Sequence, residues 1–285
     1  TYILSDRSDV MPEGPEVRRI VERLDRFYRG REVIEIDFYD PTYRQKQVRD
    51  HVDEFVASLP ATVESVKCKG KFIYWTFTNG FVMFHTLGMS GTWRIQQKNP
   101  KYGRLCFIRD DGKRCHYKDY RRFGTFKIFN PETAASKLER KLQKDLGPDI
   151  LNEEVTFADW QQRFRKVNHY NVTKAMMNQK VVSGIGNYIK AEALYRAGIS
   201  PHRTVESLSD AELQNLYRCS LWVIKASYEA RGATIRNYEM PDGSKGDFKF
   251  KFQVYAQETD PSGRTVIRDK TPDGRTTHWV KEIQL

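Results

Sequence analysis

The chain has 285 residues, with 48 Lys and Arg against 37 Asp and Glu and a formal net charge of +11. That length is enough for two domains, each burying its own core, and so large an excess of cations favours a polyanionic partner, nucleic acid first. No stretch approaches the roughly 20 consecutive apolar residues of a transmembrane helix, and residues 1–10 lack the long apolar run of a signal peptide, so a membrane partner is not expected.

Residues 1–11 read as an extension, a tag or a fragment of an upstream reading frame, because Met11-Pro12-Glu13-Gly14-Pro15-Glu16-Val17 has the look of a protein start. Pro and Glu both favour the first turn of a helix, so a helix opening is the plain reading. An aminopeptidase or an alternative start that exposed Pro12 would instead give a secondary amine beside two carboxylates. Val17, Ile20, Val21, Leu24 and Phe27 then recur at helical spacing up to Gly30, which predicts one amphipathic helix with a glycine C-cap.

From about 33 to 130 the pattern changes to short runs rich in aromatic and β-branched residues, divided by turn signals such as Thr78-Asn79-Gly80 and Asp110-Asp111-Gly112. This predicts a β-sandwich or barrel led by the helix. Within it, His85 to Gly91 (HTLGMSG) runs a strand into a glycine-rich turn with Met89 at its tip. Met89 reads either as core or as an adaptable apolar wedge. Asp119 to Phe126 (DYRRFGTF) presents two arginines and Phe123 in a loop. These are either a solvated charge pair beside a core aromatic, or a set that fills a gap in a base stack while holding phosphates.

A charged stretch at about 134–150 marks the domain boundary and reads as a linker ending in a turn at Gly147-Pro148. Helical patterns follow at about 156–166, 171–179, 187–197 and 208–230. Between the second and third, Ser183-Gly184-Ile185-Gly186-Asn187 makes a tight turn into a helix N-terminus, a combination that offers an anion site. After Gly232 come a loop, two short strand candidates at 252–257 and 265–270, and a final Asp-Gly turn with Arg275, together a small hairpin unit. Cys68, Cys106, Cys115 and Cys219 form no CxxC pair and the six histidines are dispersed. Ordinary thiols in a reducing compartment are expected, with no Cys/His zinc site, no other metal and no cofactor.

Seven segments taken together, MPEGPEV, KCKGKFIYW, HTLGMSG, DYRRFG, LGPD, SGIGNYIKAEALYRAGISP and GRTTHW, resemble in order and rough spacing the formamidopyrimidine-DNA glycosylase and endonuclease VIII family of base-excision repair enzymes. The resemblance runs from Met11 to the end of the chain. It implies an α+β multidomain fold: an N-terminal helix and β-sandwich catalytic domain (12–133), a linker (134–150), a helix-two-turn-helix domain with a lesion-recognition loop (151–245), and a finger (246–285). It implies a bifunctional DNA glycosylase and AP lyase acting on double-stranded DNA with oxidised bases or abasic sites, working as a monomer where the cell keeps its DNA: nucleus, nucleoid or viral factory.

Residue by residue, Pro12 matches the catalytic N-terminal proline and Glu13 the adjacent carboxylate that protonates the sugar ring oxygen. Glu16 matches a second acid near the active site, and Lys71 a lysine that contacts phosphate beside the lesion. Met89, Arg121 and Phe123 match the trio inserted into the duplex. Lys174 and Asn187 fall in the helix-two-turn-helix region as DNA contacts, and Arg275 matches the arginine at the finger tip. Most bacterial members close the finger with zinc on two CxxC pairs; no cysteine lies beyond Cys219 here, which resembles the zincless finger of some eukaryotic and viral members. The PEGPE start leans toward oxidised pyrimidines, whereas 232–248 has the length of a loop that covers oxidised purines. The competing reading is a catalytically silent damaged-DNA-binding protein of the same fold.

Overall fold

Helix α1 (Gly14–Tyr28) forms where Pro15 sets the first turn and apolar residues recur every three or four positions. Val17, Ile20, Val21, Leu24 and Tyr28 are buried, while Phe27 is only partly covered and packs edge-on against Tyr28. The chain then leaves the helix through Gly30, whose φ of 73° suits a residue without a Cβ. The computed structural model describes residues 11–230 and 251–285. The expected lesion loop at 232–248 therefore lies outside the described residues.

Beyond α1 run β1 (Glu32–Phe38), α2 (Pro41–Gln47), β2 (Val48–Arg49), α3 (Val52–Ala57) and the strands β3 (Ala61–Lys69), β4 (Phe72–Phe77), β5 (Val82–Thr86), β6 (Thr92–Ile95), β7 (Gly103–Arg109), β8 (Arg114–Lys118) and β9 (Thr125–Phe129). They hydrogen-bond in the order β2-β9-β5-β4-β3-β1-β7-β8-β6. Only the β2–β9 pair is parallel. The two ends of this sheet turn face to face: Trp75 of β4 meets Trp93 of β6 at 5.7 Å and Phe107 of β7 at 5.5 Å between ring centroids, although neither strand neighbours β4. That is the sandwich the alternating aromatic pattern predicts, and α1 closes one side of its core through Tyr28, 5.2 Å from Trp75.

The stretch read as a linker is mostly helical. Pro131 opens α4 (Pro131–Arg140), which lays Ala134 and Leu138 against Val82, Phe84 and Phe129 on the outer face of the sheet. One π-helical turn, Lys141–Asp145, then leads into Gly147-Pro148. Four helices follow: α5 (Phe157–Arg165), α6 (Val172–Met177), α7 (Asn187–Ala197) and α8 (Asp210–Glu229). Thr156 and Ser209 cap α5 and α8 in capping boxes with Asp159 and Glu212. Seven successive residues of α7, Tyr188 through Leu194, are buried, so this helix is the axis of the second core.

The finger is the hairpin β10 (Ile267–Lys270) and β11 (Thr276–Trp279). The other strand candidate, 252–257, is not a strand. The amides of Gln253, Val254 and Tyr255 donate to the buried Glu192 carboxylate of α7 at 2.9–3.1 Å, so a side chain takes the donors a ladder would have used. Among the described residues no helix is long and apolar enough to cross a membrane.

Candidate active site

Three backbone segments converge where side chains are missing. The Gly14 amide donates to the Gly184 carbonyl at 3.0 Å. Gly70, held at φ 57°, approaches so closely that a Cβ on it would lie 2.5 Å from the Gly184 nitrogen. The Gly70 amide donates to Asp149 at 2.6 Å, and the same carboxylate accepts the amides of Leu151 and Asn152. The start of α1, the β3–β4 turn and the turn before α7 thus meet backbone to backbone. This junction brings Pro12, Glu13 and Lys71 together from positions scattered along the chain.

Glu13 is buried, 1% exposed, and its carboxylate accepts the Tyr188 amide at 2.8 Å and the Ile189 amide at 3.3 Å. It sits on the N-terminus of α7, where orphan amides and the helix dipole favour an anion. Burial nevertheless dominates and pushes its pKa up to about 8, against the lowering effects of Lys71 and the two amides. Lys71 donates to the Ile185 carbonyl at 2.9 Å. Burial pulls its pKa down, with Glu13 opposing and Arg275 adding to the fall. A glutamic acid that holds its proton near neutrality beside a lysine inclined to lose one is a proton-handling pair.

Glu16 is fully buried and does not line the cleft. It accepts the Glu13 amide at 3.0 Å and the Tyr188 hydroxyl at 3.0 and 3.1 Å, and Tyr188 continues to Ser227 at 2.8 Å. These contacts make it the group that holds Glu13 and α7 in register.

In front of the junction opens a cleft of about 670 Å³ lined by Pro12, Lys71, Met89, Phe123, Gln179 and Arg275, among others. Met89 and Phe123 reach it on two loops tied by one carboxylate. Asp119, fully buried, accepts the Gly124 amide at 2.8 Å and the Ser90 hydroxyl, and Ser90 in turn accepts the Arg121 amide at 3.1 Å. Phe123 is 51% exposed, and the Arg121 guanidinium stands 5.4 Å from its ring centroid. An exposed aromatic on a braced loop is not part of the core.

Asn187 opens α7 and donates to the Thr276 carbonyl of the finger at 3.0 Å. Lys174 is exposed on α6, 4.4 Å from the Tyr170 ring, and does not line the cleft; Asn178, Gln179 and Lys180 line it on that side. Gln179 shapes the turn, donating to the Ile185 carbonyl and accepting the Gly184 amide. Sequence reasoning passed over Gln179, Asp119 and Tyr188, although Asp119 and Tyr188 sit inside the DYRRFG and SGIGNY segments themselves.

The finger turn does not fit a zinc ion. It offers no thiolate, and at its base the ammonium of Lys190 already occupies a carboxylate of Asp273. A carboxylate already paired with a lysine is not a vacant metal donor.

This architecture, a sandwich and a helical domain clasping a basic cleft with a buried acid at its base, is that of a DNA glycosylase. The formamidopyrimidine-DNA glycosylase N-terminal, H2TH and C-terminal domains match residues 11–126, 146–239 and 241–285. Formamidopyrimidine-DNA glycosylases of Bacillus subtilis and Bacillus licheniformis are 30% and 31% identical over 96% of this chain and 99% of theirs. The structure of the MutM (Fpg) protein from Thermus thermophilus aligns with TM-score 0.80 and 29% identity over 96% of this chain and 98% of its own. A Lactococcus lactis FPG mutant bound to Fapy-dG-containing DNA shares the fold, with TM-score 0.83 at 23% identity over 96% and 99% of the two chains. The chain belongs to the formamidopyrimidine-DNA glycosylase family of base-excision repair enzymes.

Proposed function

We propose that the protein flips oxidised bases out of duplex DNA, excises them through a Schiff base on Pro12, and cleaves the strand by β,δ-elimination. Its substrate range takes in oxidised pyrimidines and formamidopyrimidines, with 8-oxoguanine the further substrate to test. The observation that carries this reading is the buried Glu13, poised to give up a proton near neutral pH, directly after Pro12, whose nitrogen becomes a secondary amine once the residues ahead of it are removed.

In the reaction the Pro12 nitrogen bonds to C1′ as the glycosidic bond breaks and the base leaves with a proton. Glu13 protonates the ring oxygen O4′, the sugar opens, and the nitrogen's electron pair forms the iminium. Loss of a C2′ proton expels the 3′ phosphate, and a second elimination expels the 5′ phosphate. Met89, Arg121 and Phe123 fill the vacated stack, offsetting the few kcal/mol of unstacking. Lys71 and Arg275 meet phosphates beside the lesion, Asn187 and Lys174 phosphates further out, and the finger works without zinc.

A proline nitrogen acylated by Met11 has no available lone pair, so the active form begins at Pro12. Borohydride trapping on oligonucleotides carrying an oxidised pyrimidine, 8-oxoguanine or an abasic site is expected to give an adduct at Pro12 only in chains starting there. A fully active lyase with residues 1–11 attached would overturn the mechanism. With that extension in place, the silent DNA-binding alternative is favoured: salt-sensitive binding of damaged duplex without cleavage.

Asp119→Ala is expected to strand the Gly124 amide and Ser90 and loosen both wedge loops. Hydrogen bonds to a charged group contribute about 1.5–3 kcal/mol, so excision from duplex should fall roughly tenfold or more, while excision from single-stranded oligonucleotides, which need no wedge, should fall far less. Equal losses on both substrates would show that Asp119 serves stability rather than flipping.

A further inference from the structure

Lys190 lies in the middle of α7 with its side chain fully buried, and its ammonium donates to Asp273 at 2.5 Å; the Asp273 side chain is itself 1% exposed. Lysine and aspartate are seldom buried unless paired, and this pair joins the axis of the helical domain to the turn of the finger. The other oxygen of Asp273 accepts the Thr271 hydroxyl at 2.5 Å and approaches the Arg275 amide at 3.4 Å. Thr271 is bonded on to Thr277 at 2.7 Å, and its amide donates to the Arg275 carbonyl at 3.0 Å. The Thr271 hydroxyl and the Arg275 amide thus lead to one carboxylate, and that carboxylate leads to α7.

At the far side of the turn Arg275 is exposed and lines the cleft. Its guanidinium has no hydrogen-bond or ion-pair partner among the described residues. A long side chain with no contact of its own is aimed only as well as its backbone is held. Among the described residues two side-chain ties hold that backbone to α7: the Asn187 contact to the Thr276 carbonyl and the Lys190–Asp273 pair. The second is buried on both sides.

We infer that Lys190 is a positioning residue: through Asp273 it pins the finger turn onto α7 and holds Arg275 over the cleft, setting the grip on backbone phosphate without itself touching DNA. The inference rests on the reading of Arg275 as a phosphate contact. It also accounts for a finger that carries no thiolate, since a lysine pinned to a carboxylate braces the hairpin from its base.

The test uses the full chain and duplex DNA with a tetrahydrofuran abasic-site analogue, so it does not depend on freeing Pro12. Lys190→Met, Asp273→Asn and Arg275→Ala would be compared singly, together with the Lys190→Met/Arg275→Ala and Asp273→Asn/Arg275→Ala doubles, across a salt series. Each single variant is expected to weaken binding by about tenfold and to lower the slope of log affinity against log salt by about 0.9, the signature of one lost phosphate. Each double should bind as the Arg275→Ala single does, because a misplaced arginine has nothing left to lose. Lys190→Arg should restore most of the affinity.

Losses that multiply in the doubles, or an unchanged salt slope in Lys190→Met and Asp273→Asn, would overturn the inference. If Lys190→Met fails to fold, the nearly isosteric Asp273→Asn carries the same comparison. Hydrogen exchange gives a readout independent of DNA. Amides 271–277 should exchange at least about tenfold faster in both pin variants with those of α8 unchanged, and unchanged exchange at 271–277 would overturn the pin. If wild-type protein shows no preference for the abasic duplex, the proposed function fails, while the exchange measurement still decides whether the pin exists.

Discussion

Glu13→Gln is expected to cut base excision by about 10²–10⁴-fold, the range for loss of a positioned general acid, while duplex binding stays within a fewfold. The pH profile carries the sharper information. Burial raises the Glu13 pKa to about 8, so the acid is protonated through neutrality and the excision rate of a chain starting at Pro12 should fall as pH rises through about 8. The Pro12 amine, as the proposed nucleophile, would work in the opposite sense, reacting only when unprotonated, and an ordinary α-amine has a pKa of about 7.7–8.0. Wild type should therefore show a bell, and Glu13→Gln should keep the acidic limb of its residual activity and lose the alkaline one. Retention of the alkaline limb in the glutamine variant would assign the proton to another group.

The same shift has a consequence for stability, with a definite sign. The folded-state pKa of Glu13 lies above its unfolded value of 4.5, so between about pH 4.5 and pH 8 the native state binds more protons than the unfolded one. Stability from this group is present below that window and declines as pH rises through it. Glu13→Gln removes the decline. The melting temperature of the variant relative to wild type should therefore be higher at pH 8 than at pH 5, and a difference that does not change with pH would argue against a neutral buried Glu13. Lys71, whose pKa burial lowers, contributes with the opposite sign, its stability rising as pH climbs above its folded pKa.

Elements with a strong local signal were legible in the sequence. The apolar spacing from Val17 to Leu24 and the glycine at position 30 define α1, and the pattern at 187–197 coincides with α7. The aromatic runs identify a sandwich because each strand alternates faces. What escaped were features set by distant partners. Residues 252–257 carry a strand-like composition, but the Glu192 carboxylate sits more than fifty positions earlier and takes their amides. The 134–150 stretch reads as charged linker because a helix covering a few exposed aromatics needs only one apolar stripe, and Ala134 with Leu138 supplies it.

The site was legible in the same uneven way. Pro12, Lys71, Met89, Phe123 and Arg275 do line one cleft. Two residues read beside them lie off the cleft wall: Glu16 braces Glu13 and Tyr188, and Lys174 stands exposed on α6 beside the Tyr170 ring. A motif fixes which residue types occur, and only the register of the helix beneath them decides which way each one faces.

Gly186→Ala is the substitution expected to damage the site most with the smallest change in chemistry. The backbone there is ordinary extended chain, φ −127° and ψ −159°, so alanine introduces no torsional strain. The added methyl, however, would lie 2.5 Å from Cγ of Glu13, and either that side chain or the start of α7 has to move. Overpacking of this kind costs about 1–3 kcal/mol of stability. Movement also takes Glu13 off the Tyr188 and Ile189 amides that hold its pKa down, so the alkaline limb should shift upward as the rate falls toward that of Glu13→Gln. The control is Gly198→Ala at the other end of the same helix, where φ is 69° and the nearest atom to a Cβ is 3.4 Å away. That change should lower stability by about 1 kcal/mol through its left-handed backbone and leave the pH profile untouched. Equal pH profiles for the two alanine variants would mean that a carboxylate at position 13 suffices and that its fit against α7 has no part in excision.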